Sequence, residues 1–221
     1  LASHAGPSAL SWLATAVLVA FAAWGAGCAT TQEYFQDAGA APPPQERSLA
    51  DWPYQEIWTG VVFNGAKIGF TRLTIRPAPD APQRWDIESE AAIRLRFLGI
   101  DKRINLQSRD RVRQDLTLER FEYAYELDGS PLDVRGESDG RNLALRVRAS
   151  GASEERKIPL SASLYPQSAI TLLPVMRGMW PGRTLRFLVL QGETQAVAVA
   201  EQKIIAWGRS PVFDGPAFKN H

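Results

Sequence analysis

From Ile57 almost to the C-terminus, apolar and polar residues tend to alternate, the period of a strand with one face in a core. The pattern begins in IWTGVVFNGAKIGFTRLTIR, residues 57–76. There Asn64-Gly65 separates two runs of β-branched and aromatic residues. A type I′ turn needs positive φ at both central positions, which Asn and Gly adopt at low cost, so the stretch predicts a β-hairpin. In 84–98, Ile93, Leu95 and Phe97 alternate with Arg94 and Arg96, and Gly99 ends the run. In 100–112, Ile104 and Leu106 alternate with Arg103 and Asn105. Leu116 and Leu118 then hold even positions, whereas Phe121, Tyr123, Tyr125 and Leu127 hold odd ones. One extra residue near Glu119-Arg120 would switch the faces, which is what a β-bulge does. Asp128-Gly129 and Asp139-Gly140 mark further turns, and Leu143, Leu145 and Val147 alternate with Arg146 and Arg148.

The rhythm breaks in LSASLYPQSAITLLPVMRGMW, residues 160–180. Pro166 can open a helix over 166–178, and Pro174 keeps it short. After the Pro181-Gly182 turn, 184–190 and 194–205 read as two more strands, and 209–221 carries no pattern. The fold class expected is all-β. About ten strands in sequential order predict a curved antiparallel meander, a half-barrel or sandwich over 57–208, with the one helix on its concave face.

The first part of the chain reads differently. Residues 1–32 contain no Lys, Arg, Asp or Glu, and 9–26 are almost continuously apolar. That length can span a bilayer, so 1–27 is a signal peptide or an uncleaved anchor helix. Gly25-Ala26-Gly27 precedes Cys28, the sole cysteine, and this placement resembles a bacterial lipoprotein box, with Gly25 where that family usually has Leu. The resemblance implies cleavage before Cys28, lipidation of its thiol, and attachment to a membrane. Ala29 stands where an inner-membrane retention signal would have Asp, which favours the periplasmic face of the outer membrane. Residues 28–56 are rich in Ala, Pro, Gly and Gln, and Ala40-Ala41-Pro42-Pro43-Pro44 favours extended polyproline II. They read as a tether that first touches the domain at Trp52 and Tyr54.

Composition narrows the chemistry. The net charge of +1 argues against a nucleic-acid partner. One cysteine permits no internal disulfide, and the two histidines, His4 and His221, sit near the chain ends. A Ser-His-Asp triad or a His-based metal site needs imidazole inside the fold, so neither cofactor nor catalytic residue is expected. Three surface sets remain. Asp86, Glu88 and Glu90 place carboxylates on one strand face, an arrangement that can do acid–base work but more simply forms a solvated face. Arg94, Arg96, Arg103, Arg109, Arg111 and Arg113 could meet anionic glycan or lipopolysaccharide phosphates, or could pair with acids across strands. Phe121, Tyr123, Tyr125, Phe97, Trp85 and Trp58 could line an apolar groove or form plain core.

Three stretches carry a second resemblance: Trp58-Thr59-Gly60 with Ile68-Gly69-Phe70; Leu164-Tyr165-Pro166 with Ala169, Ile170, Leu173 and Pro174; and Pro181-Gly182 with the strand 185–190. Together they resemble the β-rich domain that precedes the transglutaminase-like core of some bacterial exported proteins. That resemblance implies an accessory domain whose partner core, built on Cys-His-Asp, lies elsewhere; no residue here matches that set. The expected function is thus a non-catalytic envelope lipoprotein, accessory to such a system. The alternative is a lipid- or acyl-chain-binding half-barrel, which an open, apolar concave face would favour.

Overall fold

The computed structural model describes residues 36–37, 45–63, 66–97, 100–178, 180–210 and 215–220. Cys28, the apolar leader, the proline run and the Asn64-Gly65 turn lie outside the described residues. Among the described residues the fold is all-β with one short α-helix. A two-residue strand, β1 (Gln36–Asp37), precedes an eight-stranded antiparallel meander. Its strands are β2 (Glu56–Phe63), β3 (Ala66–Pro77), β4 (Arg84–Phe97), β5 (Ile100–Arg113), β6 (Leu118–Leu127), β7 (Ser130–Ser138), β8 (Asn142–Ala149) and β9 (Ala152–Pro159). A second layer follows: β10 (Leu164–Tyr165), α1 (Ala169–Met176), β11 (Thr184–Gln191), β12 (Ala196–Ser210) and β13 (Gly215–Asn220). There β12 pairs with β11, β13 and β1, and β10 lies parallel to β11.

Local chemistry explains the hairpins. Phe63 pairs with Ala66, so β2 and β3 form the predicted hairpin around the two intervening residues. Asp128 and Gly129 both hold positive φ, 52° and 82°, as a type I′ turn requires. The bulge falls where the parity switch placed it. Arg111 faces Arg120 while Val112 faces Leu118, leaving Glu119 as the extra residue. Arg84 and Arg113 oppose each other across β4 and β5, and Glu119 accepts hydrogen bonds from the Nε of both. The bulge thus resolves a like-charge pair.

Pro174 sits inside α1 and leaves the Ile170 carbonyl without its intrahelical donor. Gln202 of β12, itself buried, fills that place with a 2.9 Å hydrogen bond from Nε2 to the Ile170 oxygen. The proline therefore limits the helix and also docks it on the second sheet.

Four features differ from the sequence reading. The meander holds eight strands and the remaining strands form a separate layer, because the 160–180 stretch turns the chain back over the first sheet. Residues 215–220 form β13 although their sequence has no period, since a partner strand supplies the order. In the Ala/Pro-rich linker, Gln36–Asp37 pair with β12, and contact with the domain starts before Trp52. Arg47 N–H donates to the Met176 carbonyl at 2.7 Å, and Leu49 is completely buried. The last part of the tether is thus structural.

Candidate functional site

Register sorts the inner face of the meander into rows that cross the strands. One row runs Ile75, Ile87, Asp110, Phe121, Gly136, Leu145. It lies under the second layer, with Ile87 at 0% exposure and Phe121 at 1%, packed with Leu49, Leu164, Leu172 and Leu190 in one core. Gly136 is required there: a Cβ would come within 2.1 Å of the Ala144 carbonyl and 2.9 Å of the Phe121 ring. Toward the other end of the same face runs the row Val61, Gly69, Ile93, Ile104, Leu127. These residues, with Ala91 and Leu95, are apolar and stay outside the core cluster, and Ile93, Leu95, Ile104 and Leu127 are only half-buried. One end of the inner face is therefore closed and the other is covered only in part, with Val61 and Ala91 buried but their neighbours reaching solvent.

Between the two ends lies a buried polar seam. Asp110 is 2% exposed and accepts a 2.8 Å hydrogen bond from the Tyr123 hydroxyl. Burial pushes its carboxyl up to about 7, against the opposing pull of Tyr123 and Ser168. The Ser168 hydroxyl lies near enough to favour the charged form, yet its Oγ is buried with no completed hydrogen bond. Burial, then the neighbouring carboxylate charges, raise the phenols of Tyr123 and Tyr125 well above their ordinary range. The Tyr125 hydroxyl donates to Glu193 at 3.3 Å, and Gln167 Nε2 donates to the other Glu193 oxygen at 3.1 Å. Gly192 lets this turn lie flat on the rings, since a Cβ would fall 2.2 Å from the Tyr125 oxygen. Asp110 can hold a proton near neutrality, but it is sealed from solvent, so its protonation acts on the packing of α1 rather than on a ligand.

The outer face is a ladder of charges. Asp86 accepts from Arg111 at 2.7 Å, Glu88 pairs with Arg109, and Glu90 stands 4.0 Å from Arg72. The three carboxylates singled out by alternation are thus engaged by arginine, the plainer of their two readings. Of the arginine set, Arg94 and Arg96 share Asp101 and Arg113 holds Glu119, while Arg103 alone has no side-chain ion pair among the described residues. Hydrogen bonding from Arg94 brings the Asp101 carboxyl down to about 2. An open trough of about 430 Å³ crosses this face, lined by Arg72, Glu88, Arg109, Glu122, Asp133 and Arg135 among others. Its walls are charged with both signs, unlike the apolar lining that holds a hydrophobic ligand.

The aromatic set divides. Phe121, Tyr123 and Tyr125 are core and Trp85 packs half-buried against it. Trp58 points to the outer face, 60% exposed, beside Arg72 and Phe70. The Phe97 side chain and Cys28 lie outside the described residues. The sequence reading passed over Asp110, although it shares the parity of Ile104, Leu106 and Val112 and was thereby marked as inward-facing. Among the described residues there is no cluster of potential metal ligands, and no helix is long and apolar enough to cross a membrane.

No family profile matches the chain, and neither does any curated protein. Among solved structures, the crystal structure of a DUF1089 family protein from Pseudomonas aeruginosa is similar at 15% identity and a TM-score of 0.40. The likeness covers 76% of this chain and 90% of that one, and it is too slight to carry an argument.

Proposed function

We propose that this chain is a non-catalytic, membrane-tethered binding module of the cell envelope that receives an acyl chain on the partly covered end of its inner face. One observation carries the reading: the row Val61, Gly69, Ile93, Ile104, Leu127 is uncharged and stands apart from the main core cluster, with Ile93, Ile104 and Leu127 only partly buried. Five strands set roughly 5 Å apart make that row about 19 Å long. An acyl chain filling one leaflet is shorter, about 15 Å. Burying about ten methylenes there offers roughly 8 kcal/mol before the costs of association, an affinity in the micromolar range or weaker. Such an affinity suits transient holding better than permanent storage. The Cys28 lipid would keep the module at the membrane that supplies its ligand.

Titration of residues 29–221 with a fluorescent fatty acid tests the site. Wild type should bind, Ile104→Asp should weaken binding at least about tenfold by placing a charge in the row, and Gln107→Asp on the outer face should leave it unchanged. Absence of binding, or equal binding by Ile104→Asp, would reject the acyl site and leave the accessory role beside a transglutaminase-like core as the reading to pursue. The tether is tested separately: a metabolic fatty-acid label should be incorporated by wild type and lost in Cys28→Ser.

A further inference from the structure

The two edges of the meander are built differently. At one edge β9 reads ASEERKIP, with four successive charges and a terminal proline, the features that keep an exposed edge from recruiting another strand. At the other edge β2 reads EIWTGVVF, with a single charge at its start. Among the described residues β2 pairs only with β3. We infer that β2 is the interface of a two-fold homodimer, in which β2 of one copy pairs antiparallel with β2 of the other.

The ladder sets which groups are available. Ile75 N–H donates to the Gln55 carbonyl at 2.8 Å, one step before Glu56 faces Thr74. Hydrogen-bonded and non-hydrogen-bonded pairs alternate in an antiparallel ladder, so Ile57 and Thr59 spend their backbone groups on β3. Those of Glu56, Trp58 and Gly60 point outward along the free edge. A two-fold axis through Thr59 brings Trp58 opposite Gly60 of the second copy and forms about four main-chain hydrogen bonds from these two pairs.

Side chains favour that register. The exposed Trp58 meets the one β2 position without a side chain, where an indole can lie flat. Among the described residues the only atom within 4 Å of a Cβ built on Gly60 is the Lys67 Cε, at 3.9 Å, and Lys67 has no ion pair among them. Trp58 Nε1 donates at 2.7 Å to Glu56, a carboxylate that Arg72 of the same copy also holds at 2.8 Å. Pairing therefore places the indole of one copy beside the Lys67 ammonium of the other, twice by symmetry. An axis through Trp58 would instead oppose two indoles and leave both lysines unmatched.

Disulfide trapping in the full chain reads the register. Cys28→Ser removes the chain's only thiol. Thr59→Cys added to it should give a covalent dimer on mild oxidation, because facing residues of a non-hydrogen-bonded pair lie about 4.5 Å apart at Cα. Gly60→Cys should not, since the stagger separates its two copies by roughly 8 Å. Gly60→Pro in the Thr59→Cys background removes only an outward N–H and should abolish the cross-link while leaving the thermal unfolding midpoint in place. If that proline unfolds the domain, the contrast between positions 59 and 60 still decides. Failure of Thr59→Cys to cross-link, equal trapping at Gly60→Cys, or trapping that survives Gly60→Pro in a folded protein would overturn the dimer.

Discussion

The two ends of the inner face share strands and pleat, yet one is closed core and the other is only partly covered. Ile87 and Ile93 are the same residue type on the same strand and face, six positions apart. Ile87 is fully buried beneath the second layer, whereas Ile93 is only partly buried. What separates them is what lies above. Leu49, α1 and β11 close over the first end in one core cluster, which Ile93 and Ile104 do not join. Alternation therefore records which face is apolar. It does not record how far a cover extends, which depends on segments distant in sequence.

The contrast can be broken in graded steps. Ile87→Ala should cost about 2–5 kcal/mol in denaturant unfolding, the range for a large-to-small change in a closed core. A loss below ~1 kcal/mol would mean the cover is loose. Next in size is the seam. The folded pKa of Asp110, about 7, lies above its ordinary 3.8, so between these values the folded state keeps a proton that the unfolded state has released. Stability should fall as pH rises from about 4 to about 7 and level off above, by roughly a few kcal/mol. Tyr123 and Ser168 face the carboxyl directly, and Tyr125 and Glu193 stand behind them. Asp110→Asn should be more stable than wild type at pH 8, with the advantage shrinking toward pH 4. Unfolding midpoints across that range check the sign, and a parallel pH dependence in both proteins would place the titrating group elsewhere.

Smaller effects probe the open end and the outer face. Ile104→Ala should cost less than Ile87→Ala, about 1–2 kcal/mol, because part of the Ile104 side chain keeps its access to water in the folded state. A loss as large as that of Ile87→Ala would show that something covers the row. Smallest of all is Arg109→Ala, which removes an ion pair whose side chains are 64% and 43% exposed. It should move stability by less than about 1 kcal/mol, and by still less in high salt.

Much of the meander was legible because its information is local. Asp128-Gly129 announced its turn through the one chemistry that tolerates two successive positive φ values, and the parity switch around Glu119 announced the bulge. Ser150-Gly151 makes a turn of the same kind, with φ of 49° and 81°, but Ser states it more faintly. Leu116 gave no warning at all. It holds φ of 70° despite its bulk, and its complete burial offsets the strain. The strand at 215–220 and the anchoring of 45–52 were hidden for a different reason, since both are specified by partners remote in the chain. The seam was half-legible: parity put Asp110 inside, but its Arg-rich surroundings disguised it as one more surface acid.

The contact between Arg47 and Met176 sets an order of assembly. Neighbouring strands of the meander are joined by hairpins, so closing each loop costs little chain entropy and pairing can proceed strand by strand. Leu49 N–H can already reach the Gln114 carbonyl between β5 and β6, but the seal at Arg47 and the full cover over Leu49 must wait for α1, which lies beyond all eight of those strands. Stopped-flow refolding should then resolve a fast gain of β-sheet signal and a slower burial around Leu49, and Leu49→Ala should slow or abolish only the second phase. During that interval the apolar inner face is open along its whole length, so a chain emerging at a membrane surface would meet acyl chains before its own cover arrives.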